Sequence, residues 1–136
     1  MKQKIFTLIL CSICFLHISA NDITTQPFYN KSPKEGLKEA LAYYDIKFPE
    51  VVYAQAVIET GNFTSSGCKR KNNLFGLMQG GSLRTFNHWT ESVAFYKNRI
   101  QSKYKGGDYY VFLKRIRYAS HPQYTQLLKK EAQKHK

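Results

Sequence analysis

The stretch PEVVYAQAVIETG, residues 49–61, constrains the fold more than any other part of the chain. Pro49 suits a first helical position, where its missing N–H costs nothing, and Gly61 suits a left-handed stop, so a helix is predicted from Pro49 to about Thr60. Val51, Ala54 and Ile58 form one apolar strip, while Val52, Gln55, Ala56 and Glu59 share another face at i, i+3, i+4, i+7 spacing. From Tyr53 onward the sole charged side chain of this helix is Glu59, in the last turn. A negative charge there opposes the helix dipole by about 0.3–1 kcal/mol. Folding gives no reason for a carboxylate at that point, so Glu59 is a candidate cleft residue. The bland alternative is a glutamate turned into water at a helix end.

Helical signals recur on both sides of this run. Ser32 as cap, Pro33 at the first helical position and Glu35 three residues after the cap form a capping box, and Leu37, Ala40, Leu41 and Tyr44 follow at helical spacing. Residues 45–48 connect this helix to the next. Beyond Gly61, NFTSSGCKRKNNLFGLMQGGSLRTF is rich in Gly, Ser and Asn, and no regular helix is expected in it. Two extended pieces, residues 74–78 and 83–86, are expected to pair as a small hairpin through Gly80-Gly81. Val93, Tyr96 and Ile100 mark a helix from Thr90 to about Tyr104. Asp108 then caps another through YYVFLKRIRYA, and Pro122 opens a last one with a basic end. The expected fold is mostly α, with one irregular insertion after the Glu59 helix.

A chain of 136 residues has room for one domain, and 15% aromatic against 22% charged residues fits a globular core. Residues 1–20, MKQKIFTLILCSICFLHISA, have the basic start, apolar centre and small terminal residue of a secretory signal with cleavage after Ala20. Residues 21–31 have no periodicity and are expected to be a flexible lead, leaving 32–136 as the domain. Cys11 and Cys14 depart with the signal, so Cys68 has no internal disulfide partner and is expected to be a small packing residue. No Cys and His grouping has metal-ligand spacing, and neither a metal nor another cofactor is expected.

The full chain carries a formal charge of +12, and its part after residue 20 retains 19 basic and nine acidic residues, a net of +10. Such a surface attracts polyanions. With an export signal, an anionic wall polymer is a better match than nucleic acid, and no membrane-spanning segment is expected once the signal is gone.

Four separated motifs, YAQAVIETGNF, KNNLFGLM, FNHWTESVAFY and RIRYA, occur in an order and spacing that resembles the glucosaminidase domain of bacterial peptidoglycan hydrolases, glycoside hydrolase family 73. The resemblance covers about residues 34–128 and implies a lysozyme-like α-lobe, here with a reduced β-hairpin or loop insertion. It implies that Glu59 is the general acid and that Asn73, Phe75 and Gly76 form the turn lining the cleft beside it. Tyr118 then falls on the family's Tyr-Ala motif, whose tyrosine faces the acid. The bond cleaved in the family is the β-1,4 linkage on the reducing side of N-acetylglucosamine, next to N-acetylmuramic acid. The implied partner is the peptidoglycan glycan strand, engaged by a monomer.

The chemistry suits the residue types: a glutamic acid raised by apolar neighbours stays protonated near neutral pH and can donate to a leaving oxygen. Gln55, on the same stripe as Glu59, and Trp89, with its flat apolar face, are further candidates for contact with the sugar. Phe86 and Tyr96 offer similar faces. Lys69, Arg70 and Lys71 are candidates to meet peptide or lactyl carboxylates.

One departure stands out. Many family members carry a second acid between the Phe-Gly turn and the next helix, but LMQGGSLRTFNHW contains no Asp or Glu. Glu91 and Asp108 are the nearest candidates, each also placed where a helix cap or first-turn acid is expected. A single acid leaves three readings open. The substrate's 2-acetamido group can serve as nucleophile, with Tyr118 holding it; lytic-transglycosylase-like chemistry can close an anhydro ring; or the domain binds wall without cleaving it.

Overall fold

The computed structural model describes residues 22–136; residues 1–21, with the expected signal and its cleavage point, lie outside the described part. Six α-helices are present among the described residues: α1 (Pro33–Tyr43), α2 (Pro49–Thr60), α3 (Ser66–Lys71), α4 (Trp89–Arg99), α5 (Tyr109–Arg115) and α6 (Tyr124–Ala132). One antiparallel pair, β1 (Met78–Gln79) and β2 (Ser82–Leu83), completes the set with three short 3-10 turns. This is the mostly helical, lysozyme-like arrangement with a small hairpin that the sequence leads one to expect.

Helix α2 is the axis of the molecule. Six consecutive residues from Val51 to Ala56 are buried, which covers every face of the helix, and α2 packs against both α1 and α6 while α4 packs on α1. A helix buried all round has to be apolar all round, which explains why the Pro49 run carries so few polar groups. Its end is fixed as tightly as its middle. Gly61 turns left-handed at φ 54°, Asn62 N donates to Val57 O at 2.8 Å, and the buried Thr60 hydroxyl donates to Ala56 O at 2.6 Å and accepts from Phe63 N at 2.7 Å. Glu59 projects from this clamped turn.

Other starts and stops follow the sequence. The Glu35 carboxylate accepts from both the N–H and the hydroxyl of Ser32, Gly80 and Gly81 supply the positive φ of the hairpin turn, and Asp108 Oδ1 accepts from Tyr110 N and Val111 N to start α5. The ladder is shorter than expected, pairing only Met78 with Leu83 and Gln79 with Ser82. Its flanks are held by side chains instead, as described below for Asn73.

Three expectations require correction. Residues 22–31 are docked rather than flexible: Phe28 is 3% exposed, Tyr29 stacks on His88 with ring centroids 3.9 Å apart, and Trp89 Nε1 donates to Lys31 O at 3.1 Å. Two adjacent aromatics anchor the segment through successive turns, and such anchoring leaves no periodic trace. The Gly- and Ser-rich stretch does contain a helix, α3, because Ser65 caps it by accepting from Cys68 N and the buried Cys68 pins it to the core. The last helix starts at Tyr124 rather than at Pro122, which lies in the preceding turn closed by Tyr124 N to His121 O. No helix among the described residues is long and apolar enough to cross a membrane.

Candidate active site

Glu59 opens into a cavity of about 430 Å³ whose walls include Ile58, Tyr118, Ala119, Ser120 and Tyr124. It is the one carboxylate in that lining. Burial of the half-covered side chain pushes its carboxyl above the ordinary glutamate range, and a hydrogen-bonding interaction with the Tyr124 hydroxyl draws it back down. Protonated, it is a donor; ionised, it is an acceptor that Tyr124 can satisfy.

The turn from Asn73 to Leu77 passes beside the Glu59 carboxylate at Gly76. Asn73 is 3% exposed and acts as a hub: its Nδ2 donates to Leu77 O and Arg84 O, each at 2.8 Å, and its Oδ1 accepts from Leu77 N at 3.0 Å. This amide ties the turn to the strand beyond the hairpin. The Phe75 ring goes inward against Tyr96, centroids 4.8 Å apart, and its carbonyl accepts from the Tyr118 hydroxyl at 2.7 Å. Gly76 follows at φ +64°, and a Cβ there would lie 2.8 Å from Glu59 Oε2. The left-handed φ favours glycine, and any side chain there would push the Glu59 carboxylate from its place. Burial drives the Tyr118 phenol well above its usual range, so it stays neutral, and Arg117 at φ 52° ends α5 so that Tyr118 turns toward the cavity.

Glu59, Gly76 and Tyr118 are therefore brought together, while other expected contacts are not. Gln55 has no exposed surface. It lies behind Glu59 with Oε1 accepting from Tyr96 at 2.5 Å, so as folded it supports the acid rather than touching a sugar. Asn73 and Phe75, the latter 1% exposed, likewise hold the wall from within. Trp89 is 3% exposed, packs its six-membered ring against Gly36 of α1 and does not line the Glu59 cavity. Phe86 and Tyr96 are also buried.

Neither candidate second acid reaches the cavity: the exposed Glu91 accepts from Asn87 N at the start of α4, and Asp108 is the α5 cap. Lys71 donates to Leu83 O across the hairpin, while Lys69 and Arg70 are exposed. The residue that sequence reasoning missed is Tyr124. Its spacing with Leu128 and Ala132 marks an ordinary core stripe, and only the structure shows its hydroxyl end at the acid.

Other cavities are present, and one of about 390 Å³ shares Ala119, Ser120, His121 and Tyr124 with the Glu59 cavity. Another, about 780 Å³, lies between α1, α2 and the C-terminal turn and is lined by Tyr53 but by neither Glu59 nor Tyr118; its Asp45 side chain is 98% exposed and pairs with Lys97. A third of about 370 Å³ begins at Leu77, the residue after Gly76, and is lined by Arg84, Arg99 and Lys103 with no acid among its walls. The Arg84 guanidinium lies 4.5 Å from the Phe95 ring centroid and Arg99 lies 5.8 Å from the same ring, so two cations share one aromatic. Among the described residues no group of three or more His, Cys, Asp or Glu is placed to hold a metal ion.

Comparison with known proteins gave no match among curated proteins and none among solved structures. Over residues 34–136, however, the sequence matches the family described as Mannosyl-glycoprotein endo-beta-N-acetylglucosaminidase, and the chain belongs to this glucosaminidase family of glycoside hydrolases.

Proposed function

We propose that the protein is an exported peptidoglycan hydrolase that cleaves the β-1,4 bond between N-acetylglucosamine and N-acetylmuramic acid, with Glu59 as general acid. The observation that carries this reading is the lone, half-buried Glu59 carboxyl, held against Gly76 in an open cavity and raised above its usual range. A cluster of Arg84, Arg99 and Lys103 starting one residue from Gly76 suits a polymer that bears carboxylates beside its sugars.

One carboxylate favours substrate assistance. Protonated Glu59 gives its proton to the bridging oxygen as the bond from the N-acetylglucosamine anomeric carbon breaks, and the acetamido oxygen of the same sugar closes on that carbon as an oxazolinium ring. Ionised Glu59 then takes a proton from water, whose oxygen attacks the anomeric carbon and reopens the ring. Tyr118 uses its proton on Phe75 O, which leaves its oxygen free to accept from the acetamido N–H and aim the carbonyl. Orientation of that kind is worth most when the holder is itself fixed.

The deciding experiment incubates the protein and its Glu59→Gln variant with purified peptidoglycan and reads the fragments by mass spectrometry. Reducing N-acetylglucosamine ends, absent with the variant, support the proposal. Anhydro-muramic ends indicate ring closure by the sugar's own hydroxyl, which a single carboxylate also permits. Wall binding without release from either protein indicates a silent module.

A further inference from the structure

A continuous line of buried polar groups runs from the backbone of Lys47 to Gln55, one turn behind Glu59. Gln101 pairs with both backbone groups of Lys47: its Oε1 accepts from Lys47 N at 3.0 Å and its Nε2 donates to Lys47 O at 2.7 Å. This pair of hydrogen bonds to the N–H and C=O of one residue fixes which end of the Gln101 amide is nitrogen. The same Nε2 lies 3.1 Å from the Tyr109 hydroxyl and donates to it. Tyr109 OH is 2.8 Å from Tyr96 OH, and Tyr96 OH is 2.5 Å from Gln55 Oε1.

Each phenol has one proton. Tyr109, already accepting from Gln101, gives its proton to Tyr96, and Tyr96 gives its own to Gln55. The orientation of the Gln55 amide is thereby dictated from Lys47, with its Nε2 turned away from Tyr96. There Gln55 Nε2 is buried without an acceptor, and the Tyr124 hydroxyl is buried without a closed hydrogen bond. These two orphans face one another, and the same hydroxyl faces Glu59. A buried amide N–H lacking an acceptor is costly, so pairing the two is favoured.

We propose that Gln55 and Tyr124 are positioning residues that complete a one-way hydrogen-bond relay, in which each link from Gln101 to Tyr109 onward donates toward the Glu59 carboxyl and Tyr124 gives the last hydrogen bond to it. This rests on Glu59 being the general acid. The relay has a direction because reversal at any link would require Gln101 to present its oxygen to Tyr109 and abandon Lys47. Its use is timing: Glu59 becomes negative only as the glycosidic bond breaks, and a donor already aimed at it stabilises the charge with no reorganisation. Polarised chains of this kind strengthen their terminal bond. The other titratable groups facing the acid are Tyr118 and, on the cavity rim, His121; no Lys or Arg lines that cavity.

The test is Tyr124→Phe, with Tyr96→Phe as a second variant three links from the backbone anchor. Loss of the donor leaves the Glu59 carboxylate less stabilised, so its titration moves to higher pH. Carbon-13 NMR of glutamate-labelled protein reads this directly, without substrate, and in a His121→Gln background so that the imidazole does not contribute. For the enzyme on peptidoglycan, Tyr124→Phe is expected to lower kcat about 10- to 100-fold with little change in KM, while the alkaline limb of the pH profile moves up. Tyr96→Phe, which frees the Gln55 amide to rotate, moves both in the same direction by less, and the double variant is no worse than Tyr124→Phe alone.

An unmoved Glu59 titration in either folded variant, or additive effects in the double variant, overturns the relay. Should Tyr124→Phe fail to fold, Tyr96→Phe alone decides by the same titration. Retained activity in Glu59→Gln, by contrast, overturns the assignment of the acid while the NMR titration still reports on the relay.

Discussion

The Glu59 carboxylate takes the space that a side chain at residue 76 would need: a methyl group there would stand 2.8 Å from Glu59 Oε2. The acid is held in place partly by what its neighbour lacks. Gly76→Ala should therefore damage the site twice. The left-handed φ of +64° costs an alanine about 1–2 kcal/mol, and the new methyl displaces the carboxylate from the wall. The expected result is a drop in kcat of tenfold or more with a folded circular dichroism spectrum, and unchanged turnover would count against the geometry.

Glu59→Gln separates function from stability. Removing a positioned general acid typically costs about 10²- to 10⁴-fold in rate, which a peptidoglycan release assay will read. Stability should move the other way. Burial raises the folded-state pKa of Glu59 above its unfolded value, so the folded protein holds this proton more tightly, and stability falls as pH rises from the unfolded pKa through the folded one. In urea titrations the variant should be more stable than the parent at pH 8, and the gap should shrink as pH drops below the ordinary glutamate range.

The unpaired cations near the hairpin should discriminate between substrates. Neutralising Arg99 and Lys103, which line the 370 Å³ cavity, leaves Glu59 and Tyr118 untouched. Cleavage of neutral N-acetylglucosamine oligomers should be unaffected, whereas KM on peptidoglycan should rise about three- to tenfold and lose its dependence on salt. Equal effects on both substrates would remove the case for an anionic subsite.

Phe28 tests whether the docked lead belongs to the fold. Its ring is 3% exposed and meets Tyr43 and Trp89 at centroid distances of 5.5 and 6.4 Å. Phe28→Ala should lower the unfolding free energy by about 3 kcal/mol. A loss below about 0.5 kcal/mol would return residues 22–31 to the status of a loose leader.

How much of this was legible beforehand depends on whether the signal was local. Helix α2, the capping box at Ser32 and the Asp108 cap are set by residues three or four apart, and periodicity recovered them. Glu59 was legible because a charge at the wrong end of an apolar helix is a local contradiction. The docking of Phe28, the pinning of α3 by Cys68 and the approach of Tyr124 to the acid depend on partners dozens of residues away. Gln55 and Asn73 show a subtler failure. Their place beside the acid was visible, but a sequence cannot say whether a polar side chain faces the cavity or the amide and carbonyl groups behind it.

The burial of α2 on every face has a mechanical side as well. A side chain mounted on so enclosed a helix is anchored to the core, so Glu59 is held by the least yielding element around the cavity. Beyond Gly76 the chain changes character, since only a two-residue ladder and a glycine turn brace the hairpin that follows.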